Sequence, residues 1–328
     1  GVGGMGVGGA VGVSIMQSQI SGACCIRLAA APGESGVTVV LYMDTRGREA
    51  RPRAGSVEIA NALASVGGAC LGRLSATELE QRRASLELEL RSARVLQEQL
   101  LPPAKGSALG GLLRYALLSL PGRVVAGDIV DLMELGGQRV AVVLGDVMGK
   151  GAAAGMLMSA VQARLSQGLL DGVPMGELLD RVNKDTCARC PGMMVSLWVG
   201  VVDLGERRLS YVDAGHGMAL HRRTGDGEGV SELVSGGGLV LGGAEDSVYE
   251  VASVELKEGD RVLLFTDGIP EQPDLKGIEF GVERVRECFR RPLAGLDHLP
   301  DLHATMLTHA NGAVQRDDIT AIVLEFVG

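Results

Sequence analysis

The sequence predicts an α+β fold built on antiparallel sheets, with a long helix ahead of it. Three observations carry this expectation. Apolar β-type runs follow one another without a helix between them, as at Val195–Val202 and Leu209–Val212. Helix-period stretches fall at about 152–169, 174–188, 281–290 and 297–310 and do not alternate one for one with strands, as a doubly wound parallel sheet would require. Finally, Ser75 to Leu101 holds no Gly or Pro and repeats its apolar residues at helical spacing.

The elements divide the chain into three regions. In residues 1–74, Ala23–Leu28 and Val37–Asp44 read as strands, punctuated by Pro32-Gly33 and Gly47. A helix-period stretch follows from Val57 to Leu74, with Ile59, Leu63, Val66 and Cys70 on one face. This region is too small for a comfortable domain and reads as the tail of one. The second region, 75–103, is rich in Glu, Arg, Leu and Gln; Leu79, Leu86, Ala93 and Leu100 recur every seven residues, Leu90 and Leu96 fill the other seam, and Pro102-Pro103 stops the helix. An apolar stripe with a charged opposite face needs a partner, so a homodimer through the 75–101 helix is expected. The third region, 104–328, carries the remaining strands, at Val140–Leu144, Val195–Val202, Leu209–Val212, Arg261–Phe265 and Thr320–Phe326.

Composition narrows the function. The 328 residues exceed the usual single-domain length, and 46% apolar with 22% charged residues is a globular composition. A formal net charge of −9 disfavours nucleic-acid partners and permits cations. Cys187 and Cys190 form a Cys-x-x-Cys with no second pair at zinc-site spacing, so the cysteines read as small buried hydrophobes in a reducing, cytoplasmic setting. Residues 1–26 are uncharged, but glycines and Gln17 and Gln19 interrupt them, so no membrane span is expected. The chain opens without Met and reads as a piece of a longer protein.

Four acidic positions sit beside glycine or at the ends of β-runs: Gly127-Asp128, Gly145-Asp146, Thr266-Asp267-Gly268 and Asp317-Asp318. One such carboxylate is an ordinary turn residue. Several together would repel and raise one another's pKa values unless a cation compensates, and all-oxygen donor sets suit Mg²⁺ or Mn²⁺. The stretch Gly145 to Gly151 does not fit a phosphate-cradling P-loop, because the Gly spacing is too short and Gly151 stands where Ser or Thr belongs. Gly149 and Gly151 instead suit a sharp turn into the helix near Ala152.

Taken in order, Gly127-Asp128-Ile129-Val130-Asp131, Gly145-Asp146-Val147-Met148-Gly149-Lys150-Gly151, Asp213-Ala214-Gly215-His216, Leu239-Val240-Leu241-Gly242, Phe265-Thr266-Asp267-Gly268-Ile269-Pro270-Glu271 and Asp317-Asp318-Ile319-Thr320 resemble the PPM-type (protein phosphatase 2C-like) phosphatases. The nearer likeness is to the bacterial branch of stage II sporulation protein E and the sigma-factor regulatory phosphatases, over roughly residues 95–328. Residues 1–74 resemble the C-terminal part of a GAF-like sensor domain, whose Leu-Tyr-x-Asp strand leads into an exit helix.

The resemblance implies a four-layer α-β-β-α sandwich with a binuclear metal centre holding two Mn²⁺ or Mg²⁺ per chain. Asp146 would bridge both ions, the Val147 carbonyl would bind one, Asp267 and Asp317 would hold the second, and Asp128 would support the first. Asp318 is the fallback for Asp317. The implied activity is serine/threonine phosphoprotein phosphatase, acting through a metal-activated water on a phosphorylated anti-sigma-factor antagonist-like regulator. The alternative is a non-catalytic dimeric signalling scaffold on the same fold. His216 is expected to make a structural hydrogen bond, Lys150 is either a solvated charge or a substrate contact, and Arg123 is a speculative phosphate anchor. The chain departs from the family pattern at Ala126, at Gly217-Met218 where Asn and Pro are usual, and at Met194-Val195-Ser196.

Overall fold

The computed structural model describes residues 20–30, 38–46, 55–122, 126–149, 151–225, 229–236 and 238–328. The chain forms two compact units, Gly1–Leu88 and Glu89–Gly328. In the first, β1 (Ile20–Ala30) and β2 (Thr38–Arg46) form an antiparallel pair, as the two apolar runs predict. The turn at Pro32-Gly33 and Gly47 lies outside the described residues.

Helix α1 runs unbroken from Ser56 to Leu100, 45 residues in all. The two helical segments expected on either side of position 74 are therefore one element, and the division between the units falls inside it. Gly67, Gly68 and Gly72 each cost about 1 kcal/mol in a helix interior, and the good formers on both sides carry the helix through them. Arg82, Arg83 and Arg94 pair with Glu78, Glu87 and Glu98 one turn away, which supports an exposed helical face.

In the second unit the chain continues through β3 (Lys105–Ala108), β4 (Leu113–Leu120), β5 (Asp128–Gly136) and β6 (Arg139–Val147). Helices α2 (Ala152–Leu170) and α3 (Met175–Arg189) follow. Then come β7 (Val195–Asp203), β8 (Arg208–Ala214), β9 (Ala219–Arg222), β10 (Val230–Glu232), β11 (Ala252–Glu255) and β12 (Arg261–Phe265). Helices α4 (Val282–Arg290) and α5 (His298–Ala310) and strand β13 (Ile319–Phe326) complete it.

The strands make two antiparallel sheets, ordered β10-β9-β12-β13-β4-β3 and β11-β8-β7-β6-β5. Strand alternation explains the layers. On β6, Val140, Val142 and Leu144 face the other sheet and share a core with its Leu264 and Ile322 and with Trp198 of the neighbouring β7; Ala141 and Val143 face α2 and α3, where they meet Val161 and Leu179. On β13, Ile322 and Leu324 point into the sandwich, whereas Ala321 and Val323 pack under α4 and α5 against Val285, Phe289 and Leu302. Both faces of both sheets are thus covered, giving the α-β-β-α sandwich of the expected α+β class. The only Trp in the chain, Trp198, lies fully buried between the sheets, stacked on Tyr211 and donating from Nε1 to the Leu233 carbonyl at 3.2 Å.

Candidate metal centre

The acidic positions meet at one end of the sandwich because each lies where a central strand begins or ends. Asp128 opens β5 and Asp146 nearly closes β6, and the antiparallel register sets them directly opposite each other. Asp267 lies two residues past the end of β12, and Asp317 and Asp318 precede β13, which pairs with β12.

Asp128 is 5% exposed. Its Oδ2 accepts a hydrogen bond from Thr266 Oγ1 at 3.0 Å, and Thr320 donates to the same carboxylate. Burial pushes its pKa well above the usual carboxylate range; the Thr bonds work the other way, and Asp146 and Asp318 add to the rise. Asp146 is pushed up to about 7, first by burial and then by the charges of Asp267, Asp317 and Asp318. All the predicted carboxylates therefore lie within electrostatic reach of Asp146. Among the described residues, no three His, Cys, Asp or Glu side chains close on one point as a finished ligand cage.

The backbone is shaped around the same place. A Cβ added to Gly127 would stand 3.2 Å from Asp146 Oδ1 and 3.3 Å from the Val147 carbonyl oxygen. Gly149 and Gly151 take φ of +104° and +86°, the left-handed turn that delivers the chain into α2. Asp318 accepts the Gly122 and Gly127 amides, each at 2.7 Å, so it holds both residues to the start of β13. Asp317 Oδ1 in turn accepts the Asp318 amide at 2.9 Å. The donors that converge are hard oxygens on mutually repelling groups, with a carbonyl oxygen beside them. They fit a divalent cation.

His216 is buried, with Nε2 3.0 Å from the Phe265 carbonyl and Nδ1 3.4 Å from Ser196 Oγ. Burial lowers its pKa to about 4, so the imidazole is neutral and braces β12 against β7. Asp213 accepts the amides of His216, at 2.7 Å, and Gly217, at 3.1 Å. Gly215 and Gly217 have φ of +71° and +67°, so glycine at 217, the departure from the family pattern, suits this turn. Cys187 and Cys190 are free, on and at the end of α3. Lys150 and Arg123 lie outside the described residues.

Three features were not legible as site residues from sequence. Thr266 and Thr320 were visible only as motif neighbours of Asp267 and Asp317, yet their hydroxyls hold Asp128. Gln97, in the last turn of α1, makes a two-way pair with the Ala126 backbone, donating to its carbonyl at 2.8 Å and accepting its amide at 3.0 Å. A cavity of about 130 Å³ lies alongside, lined by Gln97, Leu101, Ser119, Asp128, Met158 and Thr320. A smaller depression of about 50 Å³ beside Asp317 is lined by Gly268, Glu271, Gln272, Glu279 and Arg316.

Sandwich topology and the position of the acidic centre define a PP2C-type phosphatase domain. The SiaA-PP2C domain of Pseudomonas aeruginosa shares the fold with a TM-score of 0.63, at 23% identity over 75% of this chain and 98% of that one. Residues 136–327, more than half of the chain, match the family described as Stage II sporulation protein E (SpoIIE), and the chain belongs to that family. Asp146, Asp267 and Asp317 fall inside the matched span and Asp128 just ahead of it. Protein IcfG of Synechocystis is 25% identical over 268 residues, 72% of this chain and 41% of that protein. Phosphoserine phosphatase RsbU of Bacillus subtilis is 23% identical over 155 residues, 47% of this chain and 45% of that protein. The chain spans less than half the length of these curated relatives.

Proposed function

We propose that the chain hydrolyses phosphoserine or phosphothreonine on a protein, with two Mn²⁺ or Mg²⁺ ions held by Asp128, Asp146, the Val147 carbonyl, Asp267 and Asp317. The observation that carries this reading is the convergence of Asp128, Asp267, Asp317 and Asp318 on Asp146, with Asp146 raised to about 7. Gathering repelling carboxylates in a partly buried place destabilises a fold, and only cation binding gives that arrangement a use. A signalling scaffold would need none of it.

When bound, such a pair of ions supplies an acidified water and a clamp for the phosphoryl oxygens. The protein's own part is placement. Asp146, between Asp128 and Asp267, is the central carboxylate. Thr266 and Thr320 fix the Asp128 carboxylate from the opposing sheet. Asp318 ties Gly122 and Gly127 to the start of β13, next to Asp317. His216, neutral, holds the strand that delivers Asp267 and takes no proton at neutral pH. The depression lined by Arg316, Gln272 and Glu279 adjoins Asp317, where the residues flanking a phosphorylated side chain would rest.

By analogy with Phosphoserine phosphatase RsbU and Phosphoserine phosphatase RsbP, the substrate is a phosphorylated regulator resembling an anti-sigma-factor antagonist. Residues 1–74 would be the C-terminal part of a GAF-like sensor domain, 75–103 a dimerising linker helix and 104–328 the phosphatase domain, in a cytoplasmic homodimer. No helix among the described residues is long and apolar enough to cross a membrane.

Hydrolysis of p-nitrophenyl phosphate and of a phosphoserine protein, with and without Mn²⁺, tests the reading. Turnover should require the ion and vanish in Asp146→Asn and Asp267→Asn. A chain that binds its partner but shows no turnover under any divalent ion would establish the scaffold instead.

A further inference from the structure

A second charged cluster lies at the far end of the six-stranded sheet, and the hydrolytic reading does not use it. Arg222 on β9 is the cross-strand partner of Arg261 on β12, Arg261 of Glu325 on β13, and Glu325 of Arg114 on β4. Directly opposed residues share a face, and this is the face covered by α4 and α5, to which Leu220, Leu263 and Val323 also belong. A row of three guanidiniums and one carboxylate therefore crosses four strands beneath the helices.

The charges do not balance. Glu325 accepts from both Arg114, at 2.5 Å, and Arg261, at 3.2 Å. Asp301, the other carboxylate that reaches the group, is paired with Arg291 at 2.5 Å. Four guanidiniums thus face two carboxylates, an excess of two positive charges. Arg222 makes no ion pair among the described residues, and like charges placed directly opposite, as Arg222 and Arg261 are, destabilise a sheet.

The unmet hydrogen bonds gather here as well. Arg222 Nε, Arg261 Nε and both ring nitrogens of His298 are buried without a partner. His298 is 2% exposed and is the first residue of α5, edge-on to Phe289. The Cys288 carbonyl acts on the ring without a hydrogen bond of normal geometry. Buried donors without acceptors are rare in folded proteins, and each calls for a water or an ion. Two guanidinium N–H groups and the one N–H of a neutral imidazole present three donors, against a single acceptor, the other ring nitrogen. That favours an oxygen-rich anion over a water, which would leave the charge uncompensated.

We propose that Arg222, Arg261 and His298 form a binding site for a tetrahedral oxyanion, either free inorganic phosphate or sulfate or the terminal phosphoryl group of a small ligand. The site is separate from the acidic centre: Arg261 opens β12 and Asp267 lies beyond its other end, with the strand between them about 13 Å long at about 3.3 Å per residue. The acidic centre itself repels such an ion unless cations are supplied.

Thermal unfolding of the full chain in EDTA tests this, because the acidic centre then recruits no phosphate. Sodium chloride, sodium phosphate, sodium sulfate and glycerol phosphate are compared at matched ionic strength. Phosphate and sulfate should raise the midpoint saturably, by roughly 3 °C at about ten times the dissociation constant, and chloride should not. A matching rise with glycerol phosphate assigns the site to a phosphoryl group on a larger ligand; no rise assigns it to the free ion. Arg222→Gln should lose the shift and Arg222→Lys should keep only part of it, so the lysine variant decides should the glutamine variant fail to fold. A phosphate response equal to chloride's, or one undiminished in both variants, overturns the proposal.

Discussion

Asp128 and Asp146 stand directly opposite each other across the β5–β6 pair, two carboxylates at a register position where like charges repel. Neither could be sited there for stability. Burial and neighbouring acids drive both upward in pKa, Asp146 to about 7. Asp146→Asn should therefore separate stability from function. In EDTA the variant should unfold at a higher temperature than wild type, by about 1 kcal/mol of relieved repulsion. In Mn²⁺ its turnover should fall by about three orders of magnitude or more. Differential scanning fluorimetry beside a phosphatase assay reads both, and an EDTA-treated variant less stable than wild type would show that repulsion does not govern this centre.

Two glycines set how closely the backbone approaches the same carboxylates. At Gly268 an added Cβ would lie 1.8 Å from the Asp318 carbonyl oxygen, a contact that only backbone movement can relieve. Gly268→Ala should cost about 2–4 kcal/mol and part the turn after β12 from the start of β13. At Gly127 the contacts are 3.2 Å to Asp146 Oδ1 and 3.3 Å to the Val147 oxygen, tight but not prohibitive. Gly127→Ala should fold with a loss below about 1.5 kcal/mol, yet bind Mn²⁺ at least tenfold more weakly. Chemical denaturation and calorimetric metal titration would distinguish the two.

These glycines also show where the sequence was readable. Asp146 and Asp267 were legible because each ends an apolar run that could only be a core strand, and α2 to α5 were legible from their 3.6-residue period. Strand β4, Leu-Arg-Tyr-Ala-Leu-Leu-Ser-Leu, was not, because its Leu and Ala suit a buried helix as well as a strand and do not alternate with polar residues; only its short length between Gly110-Gly111 and Pro121-Gly122 marks it. The opposed register of Asp128 and Asp146 was hidden for another reason: it depends on the tight turn at Gly137-Gln138, which fixes pairing that no single strand encodes. Gln97 was unreadable as a clamp because its partner is a backbone pair 29 residues away.

His216 should give the chain an acid sensitivity of its own. Burial lowers its pKa to about 4 from an unfolded value near 6.5. Between those values the unfolded chain binds a proton that the folded chain refuses, so stability is full at neutral pH and falls as pH drops through 6.5 toward 4. The loss is on the order of 2 kcal/mol at pH 5. His298, also lowered to about 4, acts in the same direction. His216→Gln should be less stable at pH 7, losing the bond to the Phe265 carbonyl, but should shed its share of the decline from pH 7 to pH 5. Urea midpoints across that range check it, and an unchanged slope would mean that His216 does not carry the titration.

Along α1 the apolar stripe is bare: Leu79, Leu86, Leu96 and Leu100 are 68, 60, 64 and 52% exposed. Leu79, Leu86 and Leu100 fall on one seven-residue repeat and Leu96 on the adjoining seam, the spacing that buries a seam between two helices. At about 25 cal/mol per Å², burying even half of several leucines across two chains contributes several kcal/mol toward association. Light scattering of the full chain at about 10 μM should therefore give twice the 34.1 kDa chain mass. Leu79→Lys combined with Leu86→Lys should give the single mass while leaving metal-dependent hydrolysis of p-nitrophenyl phosphate intact, since both positions precede the unit that holds the acidic centre. A wild-type chain already monomeric at that concentration would leave the stripe without the partner its spacing implies.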